Sequence, residues 1–411
     1  MDFIKNGDLI TGISLNFYGT LLAMVFVLLL GRWIIGKIKF LRDYNIPEPV
    51  VGGIIAAIAI YLLATYQGMT IQLDESFKDP LMLAFYASIG LSADFASFKK
   101  GGKVLFIFLF VVTGLLILQN IAGLAVANAM GVNPLIGLLG GSITMSGGHG
   151  TGASWAAVFV EEPYKFSAAL EVAVGSATFG LIAGGLIGGP VARFLVKRYN
   201  LPLPITKHDD KPIGLEKPEQ ERLITATSFV ESLALIAICL FIGTKIAEYC
   251  KQINFTMPTF VWCLLVGAIL RNLLQATRVH QVFDREVSVL GNVSLSLFLA
   301  ITLMATNVAQ LVSLALPMFV ILIVQVVLMV LYAIFITFRV CGKDYDAAVL
   351  AAGHCGFGLG ATPTAVVNMQ AVTQHYGVSH MAFIVVPLVG AFFIDIINGG
   401  VITFIVEFFF K

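Results

Sequence analysis

The chain has 411 residues, 58% of them hydrophobic and only 12% charged, with a formal net charge of +1. A soluble domain carries about 25% charged residues, so the composition excludes an ordinary globular fold in water and points to a membrane protein. The near-neutral balance leaves no basic footprint for nucleic acid or another polyanion.

In chain order, apolar runs long enough for a ~30 Å hydrocarbon core occur at Phe17–Gly36, Pro47–Tyr66, Leu81–Ser97, Val104–Met130, Ala168–Leu195, Ile224–Tyr249, Pro258–Gln275, Val287–Thr306, Leu311–Phe338 and His380–Phe409. They predict ten spanning helices and an all-α polytopic fold. The first run is long for a signal-peptide core and no small-residue cleavage pattern follows it, so it is expected to remain as a helix. Leu135–Phe159 and Ala347–Ala371 are apolar too, but they are crowded with glycine and hydroxyl residues and make poor lipid-facing helices. Cys239, Cys250, Cys263, Cys341 and Cys355 lack paired or C-x-x-C spacing and are expected as free thiols, mostly buried.

Loop charge sets an expected orientation. With the N-terminus outside, the cytoplasmic segments hold 19 of the 25 Lys and Arg, leaving Lys5, Lys78, Lys165, Lys245, Lys251 and Lys411 outside. Ten spans then put both termini outside. The polar stretch 197–222, with Pro202, Pro204, Pro212 and Pro218, reads as a cytoplasmic linker between a half at 1–196 and a half at 223–411.

The halves resemble each other. Ile46-Pro47 with Val50 matches Met257-Pro258 with Val261 at a shift of 211. Gly148-His149-Gly150-Thr151-Gly152 matches Gly356-Phe357-Gly358-Leu359-Gly360 at 208, and Tyr164 with Ser167 matches Tyr376 with Ser379 at 212. Five spans per half is an odd number, so the second half is expected to enter the membrane upside down. Inverted repeats of this kind are a hallmark of secondary transporters.

Each half carries one glycine-rich stretch, about 135–159 and 347–371. Glycine allows sharp turns and close approach to a ligand. Irregular backbone at membrane depth is tolerated only where it is buried in protein or lines a wet cavity. Both stretches are therefore expected to be re-entrant loops whose exposed helix ends offer N–H groups to carboxylates and carbonyls to Na⁺. Gly184-Gly185 and Gly188-Gly189 come without hydroxyls and are read as tight helix packing.

Ionisable residues inside the spans are few. Asp395 is the deepest acid and is expected to face a cavity or a cation. Glu231 and Glu48 have bland alternatives, a hydrogen bond to a neighbouring helix and a capping role. His149 and His354 lie in the two loops, where ligand contact and plain loop hydrogen bonding are both open. No Ser/His/Asp set, metal cluster or phosphate loop is visible.

The runs Ser142–Ala153, Gly353–Thr364 and Val287–Phe298, with Ile46-Pro47-Glu48-Pro49-Val50 and Asp79–Phe85, resemble the bacterial sodium/glutamate symporter family. The resemblance extends from about Leu21 to Val406. It implies Na⁺-coupled import of L-glutamate across the bacterial inner membrane, re-entrant loops meeting at the site, and a homodimer, with no cofactor beyond the coupling ion. On that reading the substrate meets Ser146, Gly147, Gly148, His149, Gly150 and Thr151 from the first loop. From the second half it meets Gly356, Gly358, Gly360, Thr362 and Thr364, with Asp395 facing the ammonium. Sodium is expected at Asp395, Glu48, Asn292 and Asn398. The rival readings are a sodium- or proton-coupled carrier of another carboxylate, such as citrate or a dicarboxylate, and a gated ion channel.

Overall fold

The computed structural model describes residues 2–6, 9–44, 46–95, 98–202, 223–253, 257–305 and 314–410. Two short strands, β1 (Asp2–Asn6) and β2 (Leu9–Ser14), pair antiparallel. Asn16 then caps α1 (Phe17–Lys37), its side chain accepting from the Gly19 N–H at 3.0 Å. A proline at its start and the left-handed Gly68 (φ 65°) at its end bracket α2 (Glu48–Gln67). A third strand, β3 (Thr70–Gln72), runs parallel to β2. Next come α3 (Lys78–Leu91), α4 (Phe98–Ala129) with non-helical backbone at Gly102, α5 (Pro134–Ile143), α6 (Gly148–Val160) and α7 (Ala169–Tyr199).

The second half repeats much of this order. A Thr225/Ser228 capping box opens α8 (Ala226–Gln252), and α9 (Thr259–Thr277), α10 (Asp284–Met304) and α11 (Ala315–Val340) follow. Asp344 caps α12 (Tyr345–Leu359), accepting from the Ala347 N–H at 2.8 Å. After a break at Gly360-Ala361 come α13 (Thr362–Tyr376), α14 (His380–Leu388) and α15 (Ile394–Phe409). π turns interrupt α5 at Leu139–Ile143 and α11 at Ala333–Thr337, and a third joins α14 to α15 at Val389–Phe393.

Eight of these helices are long and apolar enough to cross a membrane. Two of the ten expected spans differ. The third is α3, whose 14 residues rise only about 21 Å, less than the hydrocarbon core; it starts on Lys78-Asp79-Pro80 and turns off at Ser92. The tenth is divided into α14 and α15 by Pro387 and a π turn. The small N-terminal sheet was not expected either, although Asn6-Gly7 between apolar pairs is a hairpin signal. Residues 203–222 of the expected linker lie outside the described residues.

The chain divides into two compact units, and each draws on both halves of the sequence. The first comprises Met1–Ser92 and Thr225–Leu314, hence α1–α3 and α8–α10. Its helices touch through small residues. A Cβ on Gly31 would sit 2.1 Å from the Glu48 carbonyl, one on Gly52 2.0 Å from Val27 O, and one on Gly90 2.1 Å from Leu264 O. Lipid gives no hydrophobic drive for helices to associate, so such backbone-to-backbone contact supplies the van der Waals cohesion.

The second unit comprises Ala93–Ile224 and Ala315–Lys411. Phe108, Leu115, Met329, Phe338, Leu350, Phe357 and Val386 are among the side chains of its core. Helix α7 lies directly on α12: a Cβ on Gly180 would be 2.1 Å from Leu359 O, and one on Gly184 3.0 Å from Gly356 O. Gly188 faces Asn368 and the Ala352 carbonyl. Gly184 and Gly188 therefore pack helices, as their lack of neighbouring hydroxyls predicts, while Gly189 faces open space.

Candidate substrate site

The two glycine-rich stretches both fold as helix–break–helix hairpins inside the second unit. In the first, Gly141 leaves helical geometry (φ −92°, ψ −142°), and Gly148 opens α6 at φ 66°, a left-handed value suited to glycine. In the second, α12 ends at Gly360 (φ −141°, ψ −99°) and α13 starts on Thr362-Pro363 with no side-chain cap. The two breaks meet. Ser146 Oγ lies 3.2 Å from the Gly358 carbonyl, and a Cβ on Gly148 would be 3.6 Å from the Gly360 carbonyl.

A fully buried amide network joins these breaks to the long helices. Gln119 of α4 donates from Nε2 to Gly358 O (2.8 Å), and its Oε1 accepts from Ser146 Oγ (2.8 Å). Its neighbour Asn120 donates to Ser142 Oγ (2.8 Å) and accepts from the Ser142 N–H (3.2 Å). Ser142 donates to Asn398 Oδ1 (2.6 Å), and Asn398 Nδ2 returns a bond to the Ser142 carbonyl (2.8 Å). Gln325 of α11 donates to the Gln119 carbonyl at 2.7 Å. Gln119, Asn120, Ser142, Gln325 and Asn398 are all 0% exposed. Intramembrane polar groups need such partners because no water competes for them.

The π turns have a part in this. One holds Ser142, and another holds Thr337, whose hydroxyl meets His354 Nδ1 at 2.9 Å. A π turn adds a residue to the helical turn, which shifts side-chain direction locally. The His354 ring is boxed by Phe108, Tyr332 and Phe357.

All twelve expected substrate residues belong to this unit: Ser146, Gly147, Gly148, His149, Gly150, Thr151, Gly356, Gly358, Gly360, Thr362, Thr364 and Asp395. Their roles differ. His149 meets Thr178 Oγ1 at 3.0 Å. A Cβ on Gly356 would collide with Ala365 at 2.4 Å, so that glycine closes the second hairpin. Asp395 is half-buried, one turn before Asn398 on α15. Of the residues expected to hold sodium, Asn398 belongs to the network, whereas Glu48 and Asn292 belong to the other unit. There Glu48 pairs with Arg32 (2.8 and 3.1 Å), and Asn292 approaches Ser288 at 3.4 Å. Glu231 is 3.9 Å from His280 in that same unit.

Gln119, Asn120 and Gln325 were not among the expected residues. They carry no charge, so a search for intramembrane ionisable groups passes over them; amides in the middle of apolar spans are the signal that finds them. Some buried polar atoms near this network have no partner among the described residues: Ser176 Oγ, Gln325 Oε1, His354 Nε2 and Thr364 Oγ1. Buried polar atoms are normally satisfied, so these oxygens and this nitrogen have hydrogen-bonding capacity that the described residues leave unused. The five cysteines are free thiols, four of them buried.

These features define a multi-pass helical membrane protein whose second unit encloses an uncharged polar centre at two helix breaks. Residues 13–378 match the model of the sodium/glutamate symporter family. The chain is 56% identical to the sodium/glutamate symporter of Escherichia coli (strain K12) over 388 residues, 94% of this chain and 96% of that protein. It is 48% identical over 387 residues to the protein of that name from Haemophilus influenzae, with the same coverage. The chain belongs to the sodium/glutamate symporter family. It is a transporter, not an enzyme.

Proposed function

We propose that this protein imports L-glutamate together with Na⁺, and that the polar centre of the second unit is where the substrate sits. Family membership supports glutamate over citrate or a dicarboxylate. The observation that carries the location is the bond from Ser146 and Gln119 to Gly358, which ties the first break to the second. Glutamate brings two carboxylates and one ammonium. The carboxylates suit the uncapped N-terminus of α13 and the hydroxyls of Ser146, Thr151, Thr362 and Thr364. Thr364 Oγ1, buried and unpartnered, is a donor in waiting.

Asp395 faces the ammonium or a sodium ion, for which Asn398 and break carbonyls are further oxygen donors; a carboxylate at this depth needs a cation. Glu48 and Asn292 remain candidates for a sodium site formed elsewhere in the transport cycle. The matching order of helices in the two halves supports inverted repeats of five spans with re-entrant hairpins, alternating access, and both termini outside the bacterial inner membrane. A homodimer accords with the family resemblance, and no cofactor is required.

The test is labelled-glutamate uptake into proteoliposomes. Accumulation is expected with an inward Na⁺ gradient and not with a proton gradient alone. Uptake driven equally by protons, or equal accumulation of citrate, would overturn the assignment.

A further inference from the structure

Outside this centre the second unit has a cavity of about 600 Å³ between the C-terminal turns of α7 and α13. One wall carries Arg193 and Lys197, one turn apart, beside Phe194 and Arg198, also one turn apart. From α13 the lining takes Val372 and Tyr376, again one turn apart, and His375. Gly189, Pro190 and Ala371 add apolar lining. No Asp or Glu is among the described residues that line the cavity, and the ion pairs among the described residues lie elsewhere. Arg198 stacks over its neighbour Tyr199, 5.9 Å from the ring centroid, and Phe194 is 48% exposed.

We propose that this cavity is a binding site for one anionic phospholipid. Three features converge on that occupant. Helix α7 is a membrane span whose last two turns hold the cations, so the cavity lies at a bilayer surface. Among the described residues its charge is of one sign and uncompensated, which suits a phosphodiester. The lining is also apolar at Gly189, Pro190, Phe194, Ala371 and Val372, which suits the upper part of an acyl chain but not a free phosphate. Basic pockets between helices at a membrane surface take lipid headgroups in this way. The site is separate from the glutamate centre, and its occupancy can be read without measuring transport.

The test is native mass spectrometry of the full-length protein in micelles holding equal phosphatidylglycerol and phosphatidylcholine. Wild type should retain one phosphatidylglycerol in preference to phosphatidylcholine, and soluble glycerol phosphate should not displace it. Arg193→Gln/Lys197→Gln/Arg198→Gln should weaken that binding about 100-fold, since each surface cation contributes about a factor of 5 to anionic-lipid binding. A control at another helix end, Lys37→Gln/Lys39→Gln/Arg42→Gln, should leave it intact. Unchanged retention in the first variant, equal loss in the control, or displacement by glycerol phosphate would each overturn the proposal. So would a preference that emerges only after Asp209→Asn/Asp210→Asn, which would assign the cavity to the chain's own acidic segment. If the first variant fails to fold, Phe194→Ala/Val372→Ala should weaken retention through the apolar lining alone, and unchanged retention there overturns the proposal equally.

Discussion

Removing the Ser142–Asn398 contact tests whether the polar centre is a structural unit. Both side chains are 0% exposed and share a 2.6 Å hydroxyl–amide bond, with a second bond from Asn398 to the Ser142 carbonyl. Ser142→Ala removes the first bond and the one accepted from Asn120 Nδ2, leaving the Asn398 oxygen and an Asn120 N–H unpaired, at about 3 kcal/mol together. Asn398→Ala removes both bonds and strands the Ser142 proton. The Ser142 carbonyl still accepts from the Ser146 and Gly147 N–H groups, so the cost is about 3 kcal/mol rather than more.

If the two side chains act through each other, the double variant loses about 5 kcal/mol instead of about 6, a coupling of about 1 kcal/mol. That lies between the average and the maximum found for interhelical hydrogen bonds in membranes, about 0.6 and 1.7 kcal/mol. Equilibrium unfolding of the four proteins in one mixed-micelle system measures the cycle. Strict additivity would refute the pairing, because two residues that do not touch have no interaction energy to lose.

Asp395→Asn should insert and fold normally yet lose most Na⁺-driven glutamate uptake, as the charge is what a buried cation requires; wild-type uptake would leave Asp395 as a packing residue. Gly180→Ala should destabilise by about 1–3 kcal/mol through overpacking against Leu359 O. Gly189→Ala on the same helix meets nothing within 4 Å and should be neutral or stabilising by up to about 1 kcal/mol, a contrast read from melting in detergent. Asp74 is held below the usual carboxylate range by the Ser76 hydroxyl and N–H. A depressed folded value stabilises the Glu75–Phe77 turn above the unfolded carboxylate range and loses that effect as the pH falls through the folded one. Amide exchange at Ser76 should therefore speed up, relative to its intrinsic rate, on acidification and in Asp74→Ala at neutral pH; protection unchanged in both would remove the cap.

Hydropathy and run length determined that the chain is a helical membrane protein, since a 20-residue apolar stretch has little stable alternative to a spanning helix. Composition also marked the two breaks, because glycine beside hydroxyls at membrane depth is costly without a polar surrounding, and it marked Gly184 and Gly188 as packing glycines. Only the tertiary structure decided what those breaks touch. The bond from Gln119 to Gly358 spans 239 residues and that from Ser142 to Asn398 spans 256, and nothing local to either end encodes its partner. The division into units was likewise not legible, since each unit takes helices from both halves. The shortness of α3 and the division of α14 from α15 have local signals in Lys78-Asp79-Pro80 and Pro387, which run length alone passes over. A helix is selected by its own residues through hydrogen bonds four apart, whereas a buried amide is satisfied by whatever folding brings within 3 Å, and that is a property of the assembled core.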